Sequence, residues 1–267
     1  MPLIEAEKKS EFGGKAANLG RALRAGLTVP SGYALSYEWV EAVQRNENEV
    51  LALLKSAFEQ LKTPIAVRSS AIGEDSEGAS FAGQHLSVLN VTNFTQLTSA
   101  IADVVQSALT PSAQSYREKL GIDGAIEMGI VLQELHNSEA AGVMFTKNPV
   151  NGREERVIEA AWGLGEVVVA GLVIPDYYRL SSQGDILERR IGEKDIALRL
   201  LPQGGTEEID VPPDRASAKI LEDVDLQNLH QLALRCESVY GKNLDIEWSL
   251  ANGSFTLLQC RSITTST

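Results

Sequence analysis

Asn252-Gly253, set between Asp245–Leu250 and Phe255–Arg261, constrains the chain more than any other pair of residues. The dipeptide lies between two runs of alternating apolar and polar residues and predicts a β-hairpin. A three-residue loop, Asn252 to Ser254, sets Ala251 opposite Phe255. One face then carries Trp248 against Leu258 and Ile246 against Cys260, and the other carries Asp245 against Arg261 and Glu247 against Gln259. A two-residue loop sets Glu247 against Leu258 and mixes the faces, so the three-residue loop is the expectation. Glu247 and Gln259 as cross-strand neighbours offer one charged and one neutral oxygen, a pair that suits Mg²⁺ with phosphate and water completing its shell. Arg261 beside them is placed for a phosphate oxygen. A plain solvated polar face fits the same pattern, and the hairpin alone does not choose between the two.

A second stretch, Ala66 to Asn90, begins in a predicted strand, Ile65-Ala66-Val67, and ends in another, Leu86 to Val91. Gly73, Gly78 and Gly83, with serines and alanines, lie between them, and Arg68 stands at the strand's mouth. Small residues let backbone N–H groups approach a ligand, and a guanidinium suits phosphate. A flexible connection between strands is the other reading. Near the N-terminus, Phe12-Gly13-Gly14-Lys15 leads into Ala16–Gly26, where Leu19 and Leu23, beside Ala16 and Ala22, share a helical face and Gly26 is the C-cap. Glycines opening a helix leave N–H groups at its positive end, and Lys15 adds a charge, a combination that accepts anions. The upstream glycine and the Ser/Thr after lysine that a P-loop requires are missing.

Elsewhere, Val29-Pro30-Ser31-Gly32-Tyr33 reads as a rigid turn, Tyr37 to Lys62 as one helix, and Phe94 to Leu120 as helix broken at Pro111. Gly129 to Leu135 is a buried strand running into polar residues. Gln133 and Glu134 at its end are either a hinge whose backbone meets a purine edge or simply a strand leaving the core. Ala141–Thr146 and Arg156–Ala161 read as strands, and Trp162-Gly163-Leu164-Gly165-Glu166 as a tight turn, for packing or for a ligand. Tyr177–Leu180 and Ile186–Ile191 form a predicted hairpin, Gln203–Pro213 a loop, and Asp225–Tyr240 an amphipathic helix ended by Gly241. A formal charge of −12 argues against nucleic acid and anionic membranes, so an anionic ligand needs a local cluster of cations. Two cysteines, no signal-like run and no membrane-length apolar segment predict a cytoplasmic protein.

Taken together these stretches resemble the N-terminal ATP-binding domain of phosphoenolpyruvate synthase, pyruvate phosphate dikinase and rifampin phosphotransferase. The matches, in order, are Gly13–Leu19, Val29–Tyr33, Ala66–Ala71, Ser80–Gln84, Gly142–Pro149, Gly163–Glu166, Pro175-Asp176, Asp245–Trp248 and Gln259–Thr264, which together cover essentially the whole chain. Ser80-Phe81-Ala82-Gly83-Gln84 is closer to the synthase and rifampin branches than to the dikinase. The resemblance implies an α+β ATP-grasp fold with ATP held between two lobes, expected at residues 1–125 and 126–267. It implies that Lys15, Arg68, Gly83 and Ser87 meet the phosphates and that Gln133, Glu134 and Leu135 frame the adenine. Glu247 and Gln259 would hold Mg²⁺, Arg261 would bind phosphate, and Arg68, Glu247, Gln259 and Arg261 would be the catalytic set.

The activity so implied is transfer of phosphate from ATP to a histidine on a separate domain. A rifampin-type antibiotic kinase and a non-catalytic nucleotide-binding module are the alternatives. Retention of Lys15, Arg68, Glu247, Gln259 and Arg261 argues against the last. His85 is taken as a loop residue, and neither it nor His136 nor His230 sits in a carrier motif. The segment between Tyr33 and Pro64 is shorter than the pattern, and Ser262 replaces its usual proline. With the chain ending at Thr267, a phosphohistidine domain and an acceptor-binding domain are expected elsewhere, in cis in a longer protein or in trans.

Overall fold

The computed structural model describes residues 1–72, 86–111 and 127–263. The chain is an α+β protein, as expected, and divides into two compact units. The first comprises Met1–Arg21, Pro30–Leu135 and Leu201–Gly205, and the second Ala22–Val29, His136–Leu200 and Thr206–Thr267. The strand ending at Glu134 thus belongs to the first unit, and the division falls after Leu135 instead of near residue 125.

The first unit is built on a four-stranded antiparallel sheet in the order β1 (Gly32–Leu35), β4 (Met128–Glu134), β2 (Ile65–Ala71), β3 (Ser87–Val91). Alternation assigns its two faces. Ile65, Val67, Ile130 and Leu132 point into a core with Val43, Leu54, Phe58, Leu97, Ile101 and Val104 from α2 (Tyr37–Gln44), α3 (Asn48–Glu59) and α4 (Phe94–Ser107). The single helix expected over Tyr37–Lys62 is two helices, because Asn46 adopts a left-handed φ of 57° between them. Ser36 Oγ caps α2 by accepting from Trp39 N, and Asn93 Oδ1 caps α4 by accepting from Gln96 N. The predicted rigid turn ends in β1, whose glycine is dictated by crowding: a Cβ on Gly32 would stand 2.3 Å from Leu132 O.

Helix α1 (Lys9–Arg24) starts before the Gly-Gly-Lys turn, not after it, and breaks at Gly13, where φ is 79° and ψ 170°. It ends in a Schellman motif, with Gly26 N donating to Leu23 O and Leu27 N to Ala22 O, which satisfies two of the last carbonyls.

The second unit carries a six-stranded antiparallel sheet. Its order is β12 (Ser254–Ser262), β11 (Leu244–Ala251), β5 (Ala140–Phe145), β6 (Glu155–Trp162), β7 (Asp176–Ser181), β8 (Ile186–Arg190). One face packs Ile246, Trp248, Met144, Ile158 and Tyr178 against Leu226, Leu229, Ala233 and Cys236 of the helix Asp223–Tyr240. Trp162-Gly163 serves packing here: Gly163 N donates to Glu139 O, Ser138 Oγ to Gly163 O, and Trp162 Nε1 to Arg215 O. The loop expected over Gln203–Pro213 contains a strand, β10 (Thr206–Asp210), paired with β9 (Ile196–Leu200). Thr-Glu-Glu-Ile-Asp lacks the apolar alternation by which a strand is recognised. Cys236 and Cys260 are both buried and form no disulfide, and no helix among the described residues is long and apolar enough to cross a membrane.

Candidate functional site

In the first unit, Arg68, Ser87 and Gln133 lie on the sheet face turned away from the helical core. Arg68 pairs with Val131 on one side and Ser87 on the other, Ser70 with Gly129, and Gln133 with both Gly32 and Ala66. Paired residues in an antiparallel ladder share a face, as do residues two apart on one strand. Arg68, Ser70, Ser87 and Gln133 are therefore on one face.

Helix α1 meets the same face at Ser70, with almost no side chain between the two backbones. A Cβ on Gly13 would lie 1.7 Å from Ser70 O, and one on Gly129 would lie 2.4 Å from Phe12 O and 2.9 Å from Ser70 O. Ser70 Oγ accepts from Ala16 N at 3.0 Å, so the residue directly after Lys15 is tied to the strand that carries Arg68. Lys15 and Arg68 are 7% and 9% exposed, unusually low for cations, whose burial is tolerated only where polar partners or a counter-charge meet them. Gly83 lies outside the described residues, as do His85 and the Ser80–Gln84 motif.

The three hinge residues behave differently from one another. Glu134 N donates to Ser31 O and Leu135 N to Pro64 O, each at 2.9 Å, while Glu134 Oε1 accepts from Lys62 N. Those two backbone donors are committed to the fold and are not offered to a purine edge. Gln133 has the open group: its Nε2 is buried and has no hydrogen-bond partner among the described residues. Gly32 and Ala66, its cross-strand neighbours, carry little or no side chain. An orphaned amide donor is costly in isolation and is suited to a ligand acceptor.

In the second unit the hairpin differs from expectation at its tip and agrees at its base. Ala251 stands opposite Ser254, with Asn252 and Gly253 both at positive φ (50° and 70°) in the two-residue loop. Trp248 consequently pairs with Leu257 and not Leu258. A β-bulge between Glu247 and Trp248 absorbs Leu258 and returns the register to Glu247 opposite Gln259, Ile246 opposite Cys260 and Asp245 opposite Arg261. A bulge inserts one residue without mixing the faces beyond it, an option that comparing loop lengths leaves out.

Glu247 also pairs with Val143, and Val143 with Glu159, so Gln259, Glu247, Val143 and Glu159 form a row across four strands on the face opposite the core. Arg261 Nε and Nη2 both donate to Asp245 Oδ2, at 2.9 and 2.7 Å. Asp245 thereby fixes the guanidinium, and burial raises its carboxyl above the usual range against the opposing effect of Arg261. Burial likewise raises Glu159, with Arg190 opposing. Glu159 went unnoticed in the sequence because it sits in an ordinary strand with no motif of its own. Among the described residues there is no group of three or more His, Cys, Asp or Glu able to hold a metal. Glu247 and Gln259 are hard oxygen donors, the set Mg²⁺ takes when phosphate and water supply the remaining positions.

The family described as pyruvate phosphate dikinase, AMP/ATP-binding domain, matches residues 38–267. A probable phosphoenolpyruvate synthase of Archaeoglobus fulgidus is 34% identical over 299 residues, which cover 95% of this chain and 40% of that protein. The corresponding protein of Methanocaldococcus jannaschii is 33% identical over 301 residues, covering 95% and 25% respectively. A rifampicin phosphotransferase of Streptomyces sviceus is 30% identical over 305 residues, covering 98% of this chain and 35% of its own length. The chain thus spans between 25% and 40% of the length of these relatives.

Proposed function

The chain belongs to the pyruvate phosphate dikinase AMP/ATP-binding domain family, and from that membership we propose that it binds Mg²⁺–ATP in the ATP-grasp manner and passes a phosphate of ATP to a histidine on another domain. The observation that carries this reading is the shared sheet face of Arg68, Ser87 and Gln133, onto which the Lys15-bearing helix is tied through Ser70. Two cations and small residues at one place oppose the acidic field of the chain and favour a triphosphate. The orphaned Gln133 amide suits a purine nitrogen. Glu247 and Gln259 would hold the magnesium ion, which supplies neutralisation of phosphate charge when bound. Arg261, held by Asp245, would add a donor to a phosphate oxygen.

These parts orient and neutralise, which is most of what phosphoryl transfer asks of a protein. They include no nucleophile. His230 is buried, and none of the residues named above for ATP or magnesium is a histidine. The accepting histidine, and the small molecule phosphorylated after it, therefore belong to other parts of a longer protein or of a partner, as the greater length of the relatives suggests. Incubation with γ- and β-labelled ATP, with and without a histidine-bearing domain of a phosphoenolpyruvate synthase, tests this. The expected result is an acid-labile phosphoprotein that forms on the added domain only when the chain is present. Stoichiometric labelling of the chain itself, or no transfer despite ATP binding, would overturn it.

A further inference from the structure

We propose that Ser70 is a positioning residue: its hydroxyl sets the start of the helix behind Gly13, and with it Lys15, in register with Arg68. The proposal rests on the reading that Lys15 and Arg68 take the phosphates of ATP. A helix that restarts after a break has unpaired N–H groups in its first turn, and a side-chain oxygen at its own N-cap ordinarily satisfies one of them. Here residue 13 is glycine, at φ 79° and ψ 170°, and has no side chain to offer. The acceptor comes instead from a strand 54 residues later, where fully buried Ser70 takes Ala16 N at 3.0 Å. The same serine's carbonyl oxygen is the first atom that a Cβ on Gly13 would strike. Helix and strand therefore touch backbone to backbone, and this hydrogen bond is a directional link at the contact. Arg68 lies two residues before Ser70 on the same face, and Lys15 lies one before Ala16. A cap delivered from that strand fixes the helix start and the two cations as one piece, whereas a cap within the helix would leave the lysine's placement independent of Arg68.

If Ser70 only stabilised the helix, its loss would lower the melting temperature and leave phosphate recognition intact. If it places Lys15, its loss must appear in the phosphate-dependent part of binding and disappear once Lys15 is gone. Calorimetry on the full 267-residue chain with Mg²⁺–ATP, and with adenosine by displacement, separates the two. Ser70→Ala should weaken ATP about tenfold, the scale of one well-placed hydrogen bond to a charged site, and leave adenosine unchanged. In a double-mutant cycle, Ser70→Ala in a Lys15→Ala background should cost less than a further twofold, while its effect should multiply with that of Arg68→Ala. The proposal is overturned by itself if Lys15→Ala weakens ATP but Ser70→Ala does not, if the two effects multiply, or if adenosine weakens as much as ATP. If Lys15→Ala leaves ATP binding unchanged, the phosphate reading fails and this inference fails with it. Should Ser70→Ala not fold, Ser70→Cys goes through the same cycle, because a thiol is a poor acceptor of near-equal size.

Discussion

Lys194 gives the sharpest test of what holds the second unit together. Its side chain is 0% exposed, and its ammonium donates to Asp176 Oδ1 at 2.5 Å and to Gly192 O at 3.0 Å. Asp176, equally buried, also accepts from Gly192 N, Ile220 N and Tyr178 OH, each at 2.9 Å. Lys194→Met keeps most of the volume and leaves the carboxylate without its counter-charge. Breaking a buried pair in this way costs about 3–5 kcal/mol. The neutral donors that remain around Asp176 place the loss near the lower end, about 3 kcal/mol. For a chain of this size each 1 kcal/mol moves Tm by roughly 2–4 °C, so the fall should be about 6–12 °C. The control is Lys219→Met, which removes an exposed pair with Glu222 and should cost less than about 1 kcal/mol. Urea unfolding followed by circular dichroism reads both variants. A loss for Lys194→Met no larger than for Lys219→Met would refute the assignment of the pair as a structural keystone.

Glu247→Ala and Gln259→Ala should each reduce the Mg²⁺-dependent part of ATP affinity, because both side chains lie on the face opposite the core; titration with ATP in the presence and absence of Mg²⁺ reads this, and an unchanged Mg²⁺ dependence in both variants would contradict it. Burial favours the neutral form of Glu159, so this group's contribution to stability is complete in acid and is lost as pH rises through its folded pKa. Glu159→Gln, neutral throughout, should match the wild-type Tm at low pH and exceed it at pH 7, and an equal or lower Tm at neutrality would contradict the sign. Gly13→Ala forces a methyl to 1.7 Å from Ser70 O at a φ of 79°, and should cost well over the ~1 kcal/mol of an ordinary strained glycine site; near-wild-type urea unfolding would show that the helix does not rest on that strand.

What the sequence revealed and what it concealed divide along physical lines. Strands with strong apolar content, such as Ile65–Ala71 and Met128–Glu134, are legible because their burial is written into composition, whereas Thr206–Asp210, polar on both faces, is not. The Glu247–Gln259 pairing was readable even though the loop was misread, because alternation fixes which residues share a face while a bulge decides where the extra residue goes. Arg68, Ser87 and Gln133 emerge on one face because strand register follows the apolar pattern. The break at Gly13, the link from Ser70 to Ala16 and the commitment of the Glu134 and Leu135 N–H groups depend on contacts between distant segments, about which local pattern is silent. Lys194 has the same character: a lysine in a loop reads as solvated until Asp176 is seen beside it.

The central claim is that a face bearing Arg68, with Lys15 tied to it, recognises the phosphates of ATP. Isothermal titration of the wild-type chain, Lys15→Ala and Arg68→Ala with Mg²⁺–ATP at one fixed ionic strength tests it directly. The account predicts saturable binding by the wild type and a loss of about 1.5–3 kcal/mol in each variant, the usual worth of a charge-assisted hydrogen bond. No binding at millimolar ATP, or wild-type affinity in both variants, would contradict it.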